Sequence, residues 1–213
     1  MNSKEKEISY QATNSYSTLN SLGEKTKNVW FVCHGIDYLS RYFIRYFTDL
    51  NPGENYIIAP QAPSKYYQNG EFKHVGASWL TKENTAREKE NVLRYLDSVF
   101  EAENIPEHLN LFVLGYSQGV SIALRWVASR KISCKKLIIC SGSVPHELTI
   151  EDFDFLRNTT QVHSMVGNQD QWLTEERMKL EKEKSIQIFG EHIIFNMFEG
   201  KHELKKELLQ ELV

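Results

Sequence analysis

The chain of 213 residues is long enough for one α/β domain with a sizeable core and leaves little room for a second. Its formal net charge of −3 excludes the strongly basic surface with which proteins bind nucleic acid or anionic membranes. Its three cysteines show neither CxxC nor metal-ligand spacing, and no apolar run approaches the length of a membrane span.

The first half of the chain predicts short strands and one helix. Residues 5–22 alternate weakly, so residues 1–27 are predicted to hold an N-terminal edge hairpin that turns at Thr13-Asn14. A buried strand is predicted over 28–33, a helix over 39–50 and a short strand over 56–59. Residues 64–80 lack a period and are predicted to form a surface loop, of a length that is more often functional than structural.

The second half alternates regularly between strand and helix patterns. Strands are predicted over 109–114, 136–140, 161–166 and 192–198, and helices over 83–101, 119–129, 173–187 and 203–213. Such alternation implies βαβ crossovers. We therefore predict an α/β fold, a single domain over 1–213 with a mainly parallel central sheet and helices on both faces.

The most informative stretch is the sequence G-Y-S-Q-G over residues 115–119, between a predicted strand and a predicted helix. A serine on such a sharp turn has its hydroxyl raised above the sheet, next to backbone N–H groups at the helix N-terminus. Neighbouring glycines let the strand and the helix approach each other closely. Ser117 is therefore the candidate nucleophile.

Other polar groups also follow predicted strands: His34, Ser141, Asp170 and His202. A parallel sheet would place all of them along one edge, where ligands bind. A serine hydroxyl needs a base to take its proton and a carboxylate to orient that base. The chain order Ser117, Asp170, His202 is that of an α/β-hydrolase triad, with His202 as base and Asp170 as its partner.

The competing residues are less well placed. His192 begins a strand, His163 lies within one, and the remaining histidines occupy polar loops (His74, His108 and His146). Asp152 and Asp154 precede their strand rather than follow it. His34 is interpreted as structural, and Cys33 is disfavoured as a nucleophile because it lies inside a strand.

Two backbone N–H groups are candidate oxyanion donors, those of Ile36 and Gln118. Tyr38 and Trp79 are predicted to line an acyl pocket. The loop aromatics Tyr66, Tyr67 and Phe72 could line the same pocket or pack the loop down.

The motifs HGI, APQAP, VGASW, GYSQG, GNQD and EGKHE, in this order, resemble the phospholipase/carboxylesterase family of α/β-hydrolases, which includes the acyl-protein thioesterases. The segment VGASWLTKE is most similar to short bacterial esterases. The resemblance extends from about Val29 onward and implies the same triad, the same oxyanion donors and a fold without a large cap. The sequence departs from the thioesterase pattern at Asp37 and Tyr38, where glycine and aspartate are usual, and at Val120, where another glycine is usual.

These observations predict a serine hydrolase that cleaves carboxylic esters or thioesters of small soluble acyl substrates. The alternative is a catalytically silent protein of the same fold that binds a ligand or partner, since fold does not fix function. We expect neither metal nor organic cofactor, no nucleic-acid partner and no membrane span. With no apolar signal segment in MNSKEKEISY, we expect a cytoplasmic protein; the oligomeric state is not predicted.

Overall fold

The computed structural model describes residues 3–213, and strands and helices alternate along them. The strands are β1 (Tyr16–Leu19), β2 (Asn28–Cys33), β3 (Asn55–Pro60), β4 (Ser64–Tyr67), β5 (Val75–Ser78), β6 (Asn110–Tyr116), β7 (Lys136–Cys140), β8 (Gln161–Gly167) and β9 (Ile194–Phe198). The α-helices are α1 (Ser40–Phe43), α2 (Thr85–Ala102), α3 (Gln118–Arg130), α4 (Glu175–Phe189) and α5 (Lys206–Glu211). Short 3₁₀ helices cover Ile44–Phe47, Ile150–Asp152 and Asp154–Leu156.

Seven strands form one sheet in the order β1-β3-β2-β6-β7-β8-β9. All neighbouring pairs are parallel except β1 with β3. Parallel strands need long crossover connections, and the helices between them supply these. The carboxyl ends of β2, β6, β7 and β8 therefore lie along one edge of the sheet.

The sheet is covered on both faces, as the buried strand β2 shows. Val29, Phe31 and Cys33 point into a core shared with α2, α3 and α4. Trp30 and Val32 point into a second core, which is shared with the segment over 40–47 and with α5. This two-sided burial explains why β2 reads as a continuous apolar run rather than an alternating one.

The predicted architecture is confirmed: a mainly parallel sheet with helices on both faces, and no large cap among residues 3–213. No helix in this range is long and apolar enough to cross a membrane.

Two local predictions are wrong. Residues 3–27 hold no hairpin, because β1 pairs with the free edge of β3 instead, with Tyr16 opposite Pro60, while residues 3–15 form no strand. The Asn14 side chain fastens the start of β1 by donating to the Gln61 carbonyl over 2.7 Å.

Residues 64–80 are not an irregular loop either. They contain an antiparallel hairpin of β4 and β5, with Ser64 opposite Ser78 and Tyr67 opposite Val75. The Tyr67 and Phe72 rings meet edge to face with centroids 5.1 Å apart, so these aromatics pack the hairpin rather than a pocket.

Candidate active site

Ser117 lies at the point where β6 ends and α3 begins, in a backbone conformation that few non-glycine residues adopt. Its φ is 53° and its ψ is −119°. Such a conformation persists only where the surrounding structure enforces it, and it is typical of functional sites. The glycines on either side show how tight this turn is. A Cβ on Gly115 would lie 2.4 Å from the Val120 Cα, and one on Gly119 would lie 2.1 Å from the Cys33 carbonyl oxygen.

Three side chains from remote turns meet at this sheet edge. The Ser117 Oγ lies 2.8 Å from His202 Nε2, and His202 Nδ1 lies 2.7 Å from Asp170 Oδ2. Because the Asp170 carboxylate accepts a hydrogen bond from Nδ1–H, the His202 Nε2 carries no hydrogen and can accept the hydrogen bond of the Ser117 hydroxyl. The structure thus brings together the three residues predicted as nucleophile, base and carboxylate.

The Asp170 carboxylate is buried, and both of its oxygens accept hydrogen bonds. Its second oxygen, Oδ1, accepts hydrogen bonds from the backbone N–H groups of Trp172 at 2.8 Å and Leu173 at 3.1 Å. These bonds form an Asx turn directly after β8, which is why a Gly-Asn-Gln-Asp segment places its carboxylate here. The carboxylate is fixed in the orientation that aligns the imidazole of His202.

Tyr116, the residue that precedes the nucleophile, contacts the loop that contains His202. The Tyr116 hydroxyl donates to the His202 carbonyl oxygen over 2.9 Å, and the two rings lie with centroids 5.5 Å apart. Burial raises the pKa of Tyr116 well above its ordinary value, so its hydroxyl stays a donor.

The backbone N–H groups of Ile36 and Gln118 donate to no other group among residues 3–213. The Gln118 N–H is the first donor of α3, which has no partner within the helix. Both residues line the same cavity as the Ser117 hydroxyl. Two unused donors beside a nucleophile are the arrangement that stabilises a developing oxyanion.

The Gln118 side chain has a separate, structural role. Its Oε1 accepts from the Trp79 N–H at 2.9 Å, and its Nε2 donates to the Leu80 carbonyl at 2.8 Å and to the Ser78 hydroxyl at 2.9 Å. These bonds fasten the end of the β4–β5 hairpin to the start of α3.

The residues around Ser117 enclose an open cavity of about 660 Å³. Tyr38 lines it, as predicted, and its hydroxyl lies 3.0 Å from that of Tyr46. The prediction that Trp79 lines it is wrong. Trp79 is only 1% exposed, and its indole N–H donates over 2.7 Å to the carbonyl of His34 beneath the cavity.

Among the residues of the cavity wall that sequence reasoning missed are Trp172 and Arg177. Trp172 is 63% exposed, and Arg177 lies in the first turn of α4. The available signal was their position in the segment that follows Asp170, beyond the carboxyl end of a parallel strand, where ligands bind.

His34 does not reach the cavity. It is fully buried, with Nδ1 2.7 Å from the Gly35 carbonyl and Nε2 accepting from the Ala62 N–H at 3.1 Å. Burial lowers the pKa of His34 to about 4, so the ring is neutral at pH 7. Its hydrogen bonds connect the segment after β2 to the segment after β3.

The three cysteines are free and buried. Burial raises the pKa of both Cys134 and Cys140 to about 12 and that of Cys33 further. None of them is a thiolate nucleophile at neutral pH. Residues 3–213 also contain no cluster of three or more His, Cys, Asp or Glu side chains that could hold a metal ion.

The family model for phospholipase/carboxylesterase matches residues 14–213. The chain belongs to the phospholipase/carboxylesterase family. It is thus an α/β-hydrolase of the esterase and thioesterase type.

Solved structures share the fold of this family member. Zea mays acyl-protein thioesterase 2 is 14% identical with a TM-score of 0.69, covering 94% of this chain and 96% of its own. Esterase PE8 is 18% identical with a TM-score of 0.63, covering 95% and 100%. A phospholipase/carboxylesterase from Dyadobacter fermentans is 17% identical with a TM-score of 0.63, covering 95% and 97%. No curated protein matches the sequence significantly.

The structure explains how this family member tolerates Asp37 where the thioesterase pattern has glycine. Asp37 has a φ of 71°, a region that glycine adopts freely and that aspartate tolerates better than most residues. The hairpin holds it there: its N–H donates to the Ala77 carbonyl at 3.0 Å, and its carboxylate accepts from the Tyr66 hydroxyl at 2.7 Å. The turn that carries Ile36 is therefore supported by the β4–β5 hairpin.

Val120, the other departure from the family pattern, is buried against Gly142. A Cβ on Gly142 would lie 2.4 Å from the Val120 Cγ2 and 2.7 Å from the Ser117 carbonyl oxygen. The side chain thus fills the space between α3 and the end of β7, and does not line the cavity.

Proposed function

We propose that this chain hydrolyses carboxylic esters and thioesters of small acyl substrates through an acyl-enzyme on Ser117. The observation that carries the proposal is the continuous chain of hydrogen bonds from Ser117 Oγ through His202 to Asp170, at 2.8 and 2.7 Å. A protein that only bound a ligand would have no need of an aligned base behind a strained serine.

In the proposed first half-reaction, the Ser117 oxygen attacks the substrate carbonyl carbon while His202 Nε2 accepts the hydroxyl proton. The carbonyl oxygen becomes an oxyanion that receives hydrogen bonds from the Ile36 and Gln118 N–H groups, each worth about 3 kcal/mol in the transition state. Asp170 stabilises the imidazolium. The imidazolium then gives its proton to the departing alcohol or thiol as the tetrahedral intermediate collapses to the acyl-enzyme.

In the second half-reaction, His202 Nε2 takes a proton from water and the resulting nucleophile attacks the acyl-enzyme carbonyl. The carboxylic acid leaves, and Ser117 regains its proton. The cavity is open and combines aromatic walls (Tyr38 and Trp172) with polar groups, which suits a modest soluble acyl substrate. We place this reaction in the cytoplasm, where three free thiols stay reduced.

The test is covalent labelling by a fluorophosphonate probe, with the modified peptide located by mass spectrometry. We expect one adduct on Ser117, and loss of both labelling and p-nitrophenyl butyrate hydrolysis in Ser117→Ala. Circular dichroism would establish that this variant remains folded. Ser121→Ala is the matched control, since this serine also lines the cavity but does not contact His202, so its labelling at Ser117 should persist.

Absence of both an adduct and hydrolysis in folded wild-type protein would overturn the proposal and favour a silent binding protein. Unchanged hydrolysis by Ser117→Ala would overturn the assignment of Ser117 as the nucleophile. An acyl-chain series of p-nitrophenyl esters, run beside a thioester of the same acyl group, then defines the acyl length and leaving group.

A further inference from the structure

The cavity beside Ser117 is lined by a cation, Arg177, that forms no ion pair with a carboxylate of residues 3–213. Arg125 and Arg130 each form an ion pair with an acidic side chain. The Arg177 guanidinium instead donates to two uncharged oxygens, the Trp172 carbonyl at 3.3 Å and the Ser143 hydroxyl at 3.1 Å. These bonds hold the planar group against the cavity wall and leave other N–H donors free.

The position of Arg177 relative to the nucleophile follows from the strand order β2-β6-β7-β8. Ser117 follows β6, and Arg177 lies beyond the end of β8. The only carboxylate on the described cavity wall is that of Asp37, which follows β2 on the opposite side of Ser117. An anionic group on a bound substrate would be attracted to the Arg177 side and repelled from the Asp37 side.

The surroundings of Arg177 suit an organic anion. Trp172, with 63% of its surface exposed, and Leu173 line the same wall. A guanidinium beside apolar surface binds a carboxylate attached to a hydrocarbon chain, because the chain covers the apolar surface while the carboxylate takes the fork of N–H groups.

We infer that Arg177 selects substrates that carry a carboxylate, either on the acyl chain or on the leaving group, in addition to the ester that reacts. This inference rests on the proposed hydrolase function and names its substrate class. Arg177 is a specificity-determining residue and takes no part in bond breaking.

The test compares charged and neutral substrates in pairs. One pair is mono-4-nitrophenyl adipate and its methyl ester, which differ in charge on the acyl side. The other is 4-acetoxybenzoate and its methyl ester, which differ on the leaving-group side. For each pair, the ratio of kcat/KM for the charged ester to kcat/KM for the neutral ester is measured in wild-type and variant enzymes.

We expect Arg177→Gln to lower this ratio by about five- to tenfold in at least one pair, the size of effect that a partly exposed charge-assisted contact gives. The pair that responds shows which side of the substrate carries the anion. Arg177→Lys, which keeps the charge but loses the fork, should give an intermediate ratio. Added salt should reduce the wild-type preference.

Lys179→Gln is the matched control. It removes the same charge from the same helix, but Lys179 does not line the catalytic cavity. Ratios in Arg177→Gln that equal those of the wild type in both pairs would overturn the inference while leaving the hydrolase proposal intact. If the wild-type enzyme does not hydrolyse the neutral esters, or hydrolyses them no faster than Ser117→Ala does, the hydrolase proposal itself would be overturned.

Discussion

The Tyr116 hydroxyl donates a hydrogen bond to the His202 carbonyl oxygen over 2.9 Å, and thereby links the residue before the nucleophile to the loop that carries the base. The two residues are 86 positions apart in the chain. The Tyr116 ring is itself held by packing, because it stacks on the Phe43 ring with centroids 5.9 Å apart. The separation between Ser117 and His202 is therefore fixed by packing as well as by their own hydrogen bond.

Tyr116→Phe removes this bond and keeps the ring. We expect kcat for ester hydrolysis to fall by about two- to tenfold, the equivalent of one net hydrogen bond of about 0.5–1.5 kcal/mol. KM should change little, because the hydroxyl acts on the position of His202. Steady-state kinetics with p-nitrophenyl butyrate measure both parameters.

Tyr95→Phe is the matched control for this change. Its hydroxyl also donates to a backbone carbonyl, that of Ser15 at 2.7 Å, but far from the triad. It should lose some stability and keep its kcat. If Tyr116→Phe retains the full kcat while Tyr95→Phe behaves as expected, the Tyr116 hydroxyl does not position the base.

The Gln118 side chain supports the fold, whereas its backbone N–H is the proposed oxyanion donor. Gln118→Ala leaves the Trp79 N–H without its partner and removes one of the two donors to the Leu80 carbonyl, the other being the Ser78 hydroxyl. Because unsatisfied, partly buried groups are costly, we expect the free energy of unfolding to fall by about 1–3 kcal/mol. Urea denaturation measures this change.

The same variant keeps the backbone donor, so kcat should fall far less than it does when Ser117 is replaced. Gln210→Ala provides the comparison, because that exposed amide makes a single hydrogen bond, to the Asp49 carbonyl. A destabilisation in Gln118→Ala no larger than that in Gln210→Ala would contradict the supporting role.

The triad could be predicted because each member directly follows a predicted strand. The strands themselves were visible as buried apolar runs, and a parallel sheet brings their ends to one edge whatever the intervening sequence. The close approach of strand and helix at Gly115 and Gly119 could likewise be predicted from the local sequence alone. No tertiary information was needed to name Ser117, Asp170 and His202 together.

Trp79 and the β4–β5 hairpin could not be predicted in this way. Whether an aromatic in an aperiodic segment faces a cavity or lies under it depends on which groups it meets. Trp79 donates its indole N–H to the His34 carbonyl and its backbone N–H to the Gln118 side chain, and both partners are remote in sequence. Arg177 was missed for a similar reason, since its proposed role depends on its forming no ion pair and on its donating to Ser143, which is remote in sequence.

His34 makes the stability of the fold depend on pH. Its pKa is lowered from 6.5 to about 4 in the folded protein because the neutral ring is buried. The unfolded chain therefore binds a proton at His34 between about pH 6.5 and 4, while the folded chain does not. Stability must then fall as the pH falls through this window.

The loss from His34 is on the order of 3 kcal/mol for a pKa that is lowered from 6.5 to about 4. We expect urea unfolding of His34→Gln to depend less steeply on pH between 6.5 and 4 than that of the wild type. Some dependence will remain, because burial also lowers the pKa of His163. His146→Gln, at a side chain that is 95% exposed, should keep the wild-type slope. Equal slopes in His34→Gln and wild type would contradict this account.

The closest approach in the nucleophile turn is that of Gly119 to the end of β2. A Cβ there would lie 2.1 Å from the Cys33 carbonyl oxygen and 2.6 Å from that of His34. Gly119→Ala should gain about 1 kcal/mol of intrinsic helix propensity. It must also push α3 away from backbone that cannot yield easily, and overpacking of this kind costs about 1–3 kcal/mol.

We therefore expect Gly119→Ala to be less stable than the wild type and to lose activity, because the displaced carbonyls belong to the segment that leads to the Ile36 N–H. Urea denaturation and ester hydrolysis measured on the same preparation check both effects. Gly23→Ala is the control, since its added Cβ meets nothing within 4 Å and should leave activity unchanged. Were Gly119→Ala as stable and as active as Gly23→Ala, the contact between α3 and β2 would not fix the geometry of the oxyanion donors.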